Sequence, residues 1–271
     1  MGRLTTKASR RDPTIYPEEE RVGEEMLQRW IVELLRPLLE RWLNQREVAF
    51  VGADQFVYYK QYDATQRYAP DVYVIPGVAP ATRVRSWKVW ERGLAPSFAL
   101  EVASRDWEKD YAETPERCRE CGIGEVVVFD PGFATRPGGR GFRWQVFRGA
   151  TRHGLRRIEA TNDDRVRSRA LGCWLVAVGS GDAVRVRLGV GPRGGQLVPT
   201  EAEQERAAKE AERAAKEAER AAKEAERAAK EQERAAKEAE RAAKEAALAQ
   251  VEQLKAELAR LRRRRARPKS R

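Results

Sequence analysis

From about Glu201 to Ala246 the chain repeats Glu-Arg-Ala-Ala-Lys-Glu-Ala every seven residues, with Gln232 as an exception. Alanine is the best helix former, and Glu, Lys and Arg follow closely. Pairs such as Glu212 and Lys216, with Glu on the N-terminal side at i,i+4, each add a few tenths of a kcal/mol. The repeat predicts one long helix over 201–263. It also confines the globular core, because all seven Trp, seven Tyr and seven Phe lie before residue 190. The repeat's seam is alanine (Ala208, Ala211, Ala215, Ala218, Ala222, Ala225) and buries little area per heptad. Only Leu248, Val251, Leu254, Leu258 and Leu261 form a conventional apolar stripe. Two readings stand: a coiled coil that joins copies of the chain into a homo-oligomer, nucleated by that stripe, or a lone charged helix. A basic tail follows at 264–271. Arg262, Arg263, Arg264 and Arg265 suit phosphate contact through charge alone.

The formal net charge is +11, and the excess of base is shared. Residues 201–271 hold 21 Lys and Arg against 16 Asp and Glu, and the rest of the chain 32 against 26. Such a balance fits a polyanion such as nucleic acid as a partner, and many soluble proteins are equally basic. No apolar run approaches the roughly 18–20 residues that span a membrane, and no signal-peptide pattern opens the chain. A cytoplasmic protein is expected, with residues 1–17 as a polar arm. Cys118 and Cys121 have CxxC spacing, but no second pair completes a zinc set, so they read as reduced thiols. The single histidine, His153, stands among turn residues. That excludes multi-histidine zinc sites and leaves a Ser-His-Asp triad without a base. No GxGxxG or Walker A loop is present.

Residues 18–197 read as one α/β domain with a mixed sheet. Val22, Met26, Trp30, Ile31, Leu34, Leu35, Leu38, Leu39 and Trp42 form one apolar helix face over 18–44, with Pro37 inside it. Strands are expected at 47–51, 56–59, 71–75, 97–104, 125–129, 141–147, 156–159, 173–178 and 183–188. A short helical pattern falls at 86–92 and a helix at about 111–121.

Two of these strands each carry an acidic residue inside a β-branched and aromatic run. They are Asp71-Val72-Tyr73-Val74-Ile75, opened by Pro70, and Ser97-Phe98-Ala99-Leu100-Glu101-Val102-Ala103-Ser104. A carboxylate is costly to desolvate there unless it is paired or holds a metal. Mg²⁺ takes hard oxygen ligands and is commonly held by one or two carboxylates plus substrate phosphate. Asp71 and Glu101 are therefore the candidate ligands, expected to lie within about 6 Å of each other. Asp110 and Asp130 read instead as a helix cap and a turn residue.

The order Pro-Asp, then an apolar strand bearing Glu, resembles the core of the PD-(D/E)xK nuclease superfamily, most closely its bacterial restriction endonuclease branch. Gly23-Glu24-Glu25-Met26-Leu27-Gln28, Tyr68-Ala69-Pro70-Asp71-Val72 and the run Gly122 to Pro131 support the likeness, which covers roughly residues 20–190. The resemblance implies a restriction-endonuclease-like sheet flanked by helices. It also implies a Mg²⁺- (or Mn²⁺-) dependent endonuclease acting on DNA, with the Val102 carbonyl as a third metal ligand and Glu24 as a further one. One departure stands out. The parent pattern has Lys two residues after the Glu, where this chain has Ala103. Members of this branch often carry it on the next helix instead, at the place of Thr114. Lys109 is the nearest lysine and the candidate for that role, with Arg117 as a second, phosphate-binding candidate. The other reading is a nuclease fold without catalysis, serving as a nucleic-acid-binding or coiled-coil interaction module.

Overall fold

The computed structural model describes residues 26–149 and 154–265. Two compact units divide at Pro199 and Thr200. The first opens with α1 (Met26–Asn44), whose apolar stripe is buried through Ile31, Leu35, Leu38, Leu39 and Leu43. Residues 18–25 of the expected helix lie outside the described residues. Pro37 removes one helical donor, yet the stripe continues on both sides and the helix runs through it.

In chain order there follow β1 (Ala49–Gly52), β2 (Val57–Tyr58), β3 (Arg67–Tyr68), β4 (Val72–Pro76), β5 (Trp87–Lys88) and α2 (Val89–Arg92). Then come β6 (Phe98–Val102), α3 (Trp107–Glu120), β7 (Glu125–Phe129), β8 (Trp144–Arg148) and β9 (Arg156–Thr161). The unit closes with β10 (Arg165–Arg167), β11 (Trp174–Val178), β12 (Arg185–Val190) and β13 (Gln196–Leu197). Four short strands, β3, β5, β10 and β13, were not expected from the sequence. Two or three residues are too few to show an alternating pattern.

The main sheet has the order β1-β4-β6-β7-β8-β9 and is mixed. Its one parallel pair is β6 with β7, and the connection between them carries α3. Those central strands read as near-continuous apolar runs because both faces are covered. On one side Val72, Val74, Phe98, Leu100, Val102, Val127 and Phe129 pack in a core with α1. That core also takes Val166, Leu175, Val186 and Leu188 from the antiparallel sheet β10-β11-β12-β13. On the other side Tyr73, Ile75, Ala99, Ala103, Val126 and Val128 pack with Cys118 and Cys121, at the end of α3. A third sheet, β3-β2-β5, contributes Val57, Tyr68 and Trp87 to this second layer.

A buried carboxylate ties the two larger sheets. Glu125, at the start of β7, accepts hydrogen bonds from the Ser168 hydroxyl, the Arg169 N–H at 3.0 Å and the Arg148 guanidinium. Three donors, one of them cationic, compensate its desolvation.

The second unit is α4 (Glu201–Arg265), a 65-residue helix. Its start is a capping box: Thr200 N–H donates to Glu203 Oε2 at 2.7 Å, and Glu203 N–H donates to Thr200 Oγ1 at 3.2 Å. Along it, Glu212–Lys216, Glu219–Lys223, Glu226–Lys230, Glu233–Lys237 and Glu240–Lys244 repeat the same ion pair. The stripe Leu248, Val251, Leu254 and Leu258 is exposed.

Leu35 is fully buried at the centre of the α1 core. Leu35→Ala should cost about 2–5 kcal/mol, read as a lower urea midpoint at unchanged slope. Leu254→Ala on α4 should move the same transition by less than about 0.5 kcal/mol.

Candidate functional site

Strand β4 pairs antiparallel with β6, Val72 opposite Leu100, Tyr73 opposite Ala99 and Val74 opposite Phe98. One step further along this register, Asp71 stands opposite Glu101. Directly opposed residues share a face, with Cβ atoms about 4.5–5.5 Å apart. The face follows from alternation. Tyr73, Ile75, Ala99 and Ala103 belong to the α3 layer, so Asp71 and Glu101 belong to it too.

Asp71 is 4% exposed. Its Oδ1 accepts from Gln28 Nε2 of α1 at 2.5 Å, and its Oδ2 accepts from the Val102 N–H at 2.6 Å. Glu101 is partly buried and accepts from the Tyr68 hydroxyl. Burial pushes the Asp71 carboxyl up to about 7; its two donors pull it down, and Asp54 and Asp110 push it up again. Burial, and then the Asp71 charge, hold Glu101 well above the usual carboxylate range. Burial and the Glu101 charge raise the Tyr68 phenol, which stays a protonated donor at neutral pH. Among the described residues, no Lys or Arg pairs with either carboxylate. Two carboxylates on one face with neutral donors alone lack compensating positive charge. No group of three His, Cys, Asp or Glu side chains able to hold a metal is present among the described residues. Two carboxylates are hard oxygen donors of the kind a divalent cation takes, its other positions being filled by backbone, water or substrate oxygens.

The other sequence candidates are dispersed. Lys109 falls in the first turn of α3, exposed, with no side-chain hydrogen bond or ion pair among the described residues. Arg117, further along α3, pairs with Glu113 at 2.7 Å on the exposed surface. Arg262 is exposed in the last turn of α4, which runs through Arg263, Arg264 and Arg265. Glu24, His153 and residues 266–271 lie outside the described residues. Ala103 and Thr114, the two places for the pattern's lysine, are each 5% exposed.

Asp110 is not the cap of α3. It stands inside the first turn, and its Oδ2 accepts from both the N–H and the hydroxyl of Ser104, each at 2.7 Å. Asp130 does accept from the Gly132 N–H, as a turn residue does, but it is also fully buried in an ion pair with Arg136 at 2.9 Å. Arg136 Nη2 donates in addition to the Ser104 carbonyl at 2.9 Å, fixing the end of β6 against the end of β7. Tyr68 and Arg136 went unrecognised from the sequence. Tyr68 lies three residues before Asp71, and Arg136 sits in a Gly- and Pro-rich loop that gave no signal.

The family model described as "Uma2: Putative restriction endonuclease" matches residues 19–175, from the start of the α1 region into β11. The chain belongs to the Uma2 family. No curated relative matches it. Among solved structures it is similar to "a putative nuclease belonging to DUF820" from Anabaena variabilis ATCC 29413. The identity there is 12%, the match covers 55% of this chain and 75% of that one, and the TM-score is 0.36. The Uma2 match takes in both acidic strands and the whole of α3.

A carboxyl raised in the fold binds its proton more tightly there than in the unfolded chain. Its stabilising contribution is then full below the ordinary value near 3.8 and is lost as pH rises through about 7. The metal-free protein should therefore lose thermal stability between about pH 4 and 7, and Asp71→Asn should flatten that part of the profile, measured by melting at fixed ionic strength. A variant whose slope matches the parent's would contradict the raised carboxyl.

Proposed function

We propose that the chain is a Mg²⁺- or Mn²⁺-dependent DNA endonuclease whose metal is held by Asp71 and Glu101. One observation carries this reading: two carboxylates opposed in register on one face, with only neutral donors around them. Val102 supports it further. In an extended strand the N–H and C=O of one residue point to the same side, and the Val102 N–H already meets Asp71, so its carbonyl faces the β4 side as well. A bound divalent cation would polarise a phosphate oxygen, favour deprotonation of water and stabilise the leaving oxygen.

The chain's own residues have separable tasks. Gln28 and the Val102 N–H fix the Asp71 carboxylate from two directions, so its orientation does not depend on the ion. Lys109, exposed in the first turn of α3, is assigned the positive charge that opposes the charge growing on the phosphate during P–O cleavage. As a flexible ammonium it acts as a point charge rather than a fork. Arg136 secures the β6 end through Ser104 and leaves its charge with Asp130. Arg262 to Arg265 and the residues after them add phosphate affinity without sequence preference. The exposed stripe from Leu248 to Leu258 suits pairing of α4 with a second copy.

With Mg²⁺ or Mn²⁺ the protein should nick or linearise plasmid DNA, and chelation should stop it. Glu101→Ala should lower turnover by about 100-fold or more. Equal cleavage by the parent and Glu101→Ala would remove the metal site from Glu101. Lys109→Ala should reduce kcat by about 10²-fold with little change in DNA binding, whereas equal losses would make Lys109 a phosphate anchor.

Truncation after Ala259 should flatten the plot of log affinity against log salt by a few units and spare cleavage at saturating DNA. Identical slopes would leave all the attraction to the first unit.

A further inference from the structure

Glu101 is oriented by a residue from outside the sheet that carries it. Tyr68 ends β3, in the small sheet β3-β2-β5, and its ring is 9% exposed in the α3 layer. Its hydroxyl donates to Glu101 Oε1. Thr114 and Cys118, from α3, stand beside that hydroxyl. Both places where the parent pattern seats a lysine border the same layer: Ala103 packs in it with Tyr68, and Thr114 adjoins the phenol. The Tyr68 phenol thus packs with both of those positions and makes the hydrogen bond to Glu101.

We propose that Tyr68 is a positioning residue for Glu101 and that this chain divides between two residues what a single lysine does in the parent pattern. Tyr68 supplies the fixed hydrogen bond, and Lys109 supplies the charge. A phenol orients a carboxylate while bringing no positive charge of its own to compete with a cation. An exposed lysine with no partner among the described residues adds charge without a fixed position. The inference rests on Asp71 and Glu101 forming the metal site. Partners that orient a metal-binding carboxylate change metal affinity or activity by about 10–100-fold when removed.

The two roles separate in measurements on the full chain. Tyr68→Phe keeps the ring and removes the hydroxyl. It should weaken Mn²⁺ binding by about 10–100-fold in calorimetry, leave KM for DNA unchanged, and lose kcat at low Mn²⁺ that returns as Mn²⁺ is raised. Lys109→Ala should bind Mn²⁺ like the parent, with a kcat deficit that added Mn²⁺ does not restore. Tyr59→Phe, whose hydroxyl meets Gln66 and Glu120 instead, should match the parent in Mn²⁺ affinity. Should Tyr68→Phe fail to fold by circular dichroism, Thr114→Val carries the test, with a smaller loss of Mn²⁺ affinity expected. Parent-like Mn²⁺ affinity in Tyr68→Phe, or in Thr114→Val when that variant stands in, overturns the positioning role and leaves the acid pair as the metal site. A parent protein that binds no Mn²⁺, indistinguishable from Glu101→Gln, overturns the acid-pair reading and this inference with it.

Discussion

The antiparallel register of β4 and β6 determines most of what this fold can do. Because Val72 faces Leu100, Asp71 faces Glu101, and a shift of one residue would turn one carboxylate into the α1 core. The register is held by burial on both sides. Val72, Val74, Leu100 and Val102 must meet α1, and Tyr73, Ile75 and Ala99 must lie under α3. The two layers together exclude a one-residue slip, and the observed alignment sets two carboxyl groups against each other. The core thus bears an electrostatic cost at its rim, which a divalent cation would relieve.

The arrangement around the acids separates stability from chemistry. Glu125 opens the central strand β7 and Asp130 directly follows it; both are buried, and both meet an arginine. Asp71, just before β4, and Glu101, on β6, meet amides and a phenol. Had all four been paired alike, none would stand out as a ligand. The contrast within one sheet is what distinguishes a structural carboxylate from a candidate ligand.

The acidic strands were legible in the sequence because each broke an apolar run in a way that burial alone cannot explain. The α1 stripe and the alanine-rich helix were legible because their periods are long and regular. Tyr68 was hidden for the opposite reason: it belongs to a strand of two residues, and an aromatic before Pro-Asp reads as packing. Its partner Glu101 is thirty-three positions away, a distance no local pattern spans. Asp110 was misread because helix caps are judged by position, and the first turn of α3 begins at Trp107, earlier than the apolar pattern indicates. Arg136 lies in a loop whose glycines announce a turn but not the buried carboxylate it reaches.

Cys118 adjoins the Tyr68 hydroxyl from α3, fully buried, and its thiol is held well above the ordinary range by burial and then by the Glu101 charge. Only the thiolate reacts quickly with alkylating reagents, and only when exposed. The rate at which Cys118 is modified would thus count the openings of α3 away from the sheet, in the way that amide exchange counts local unfolding. The natural sequence carries its own probe of how often the wall behind Glu101 lifts.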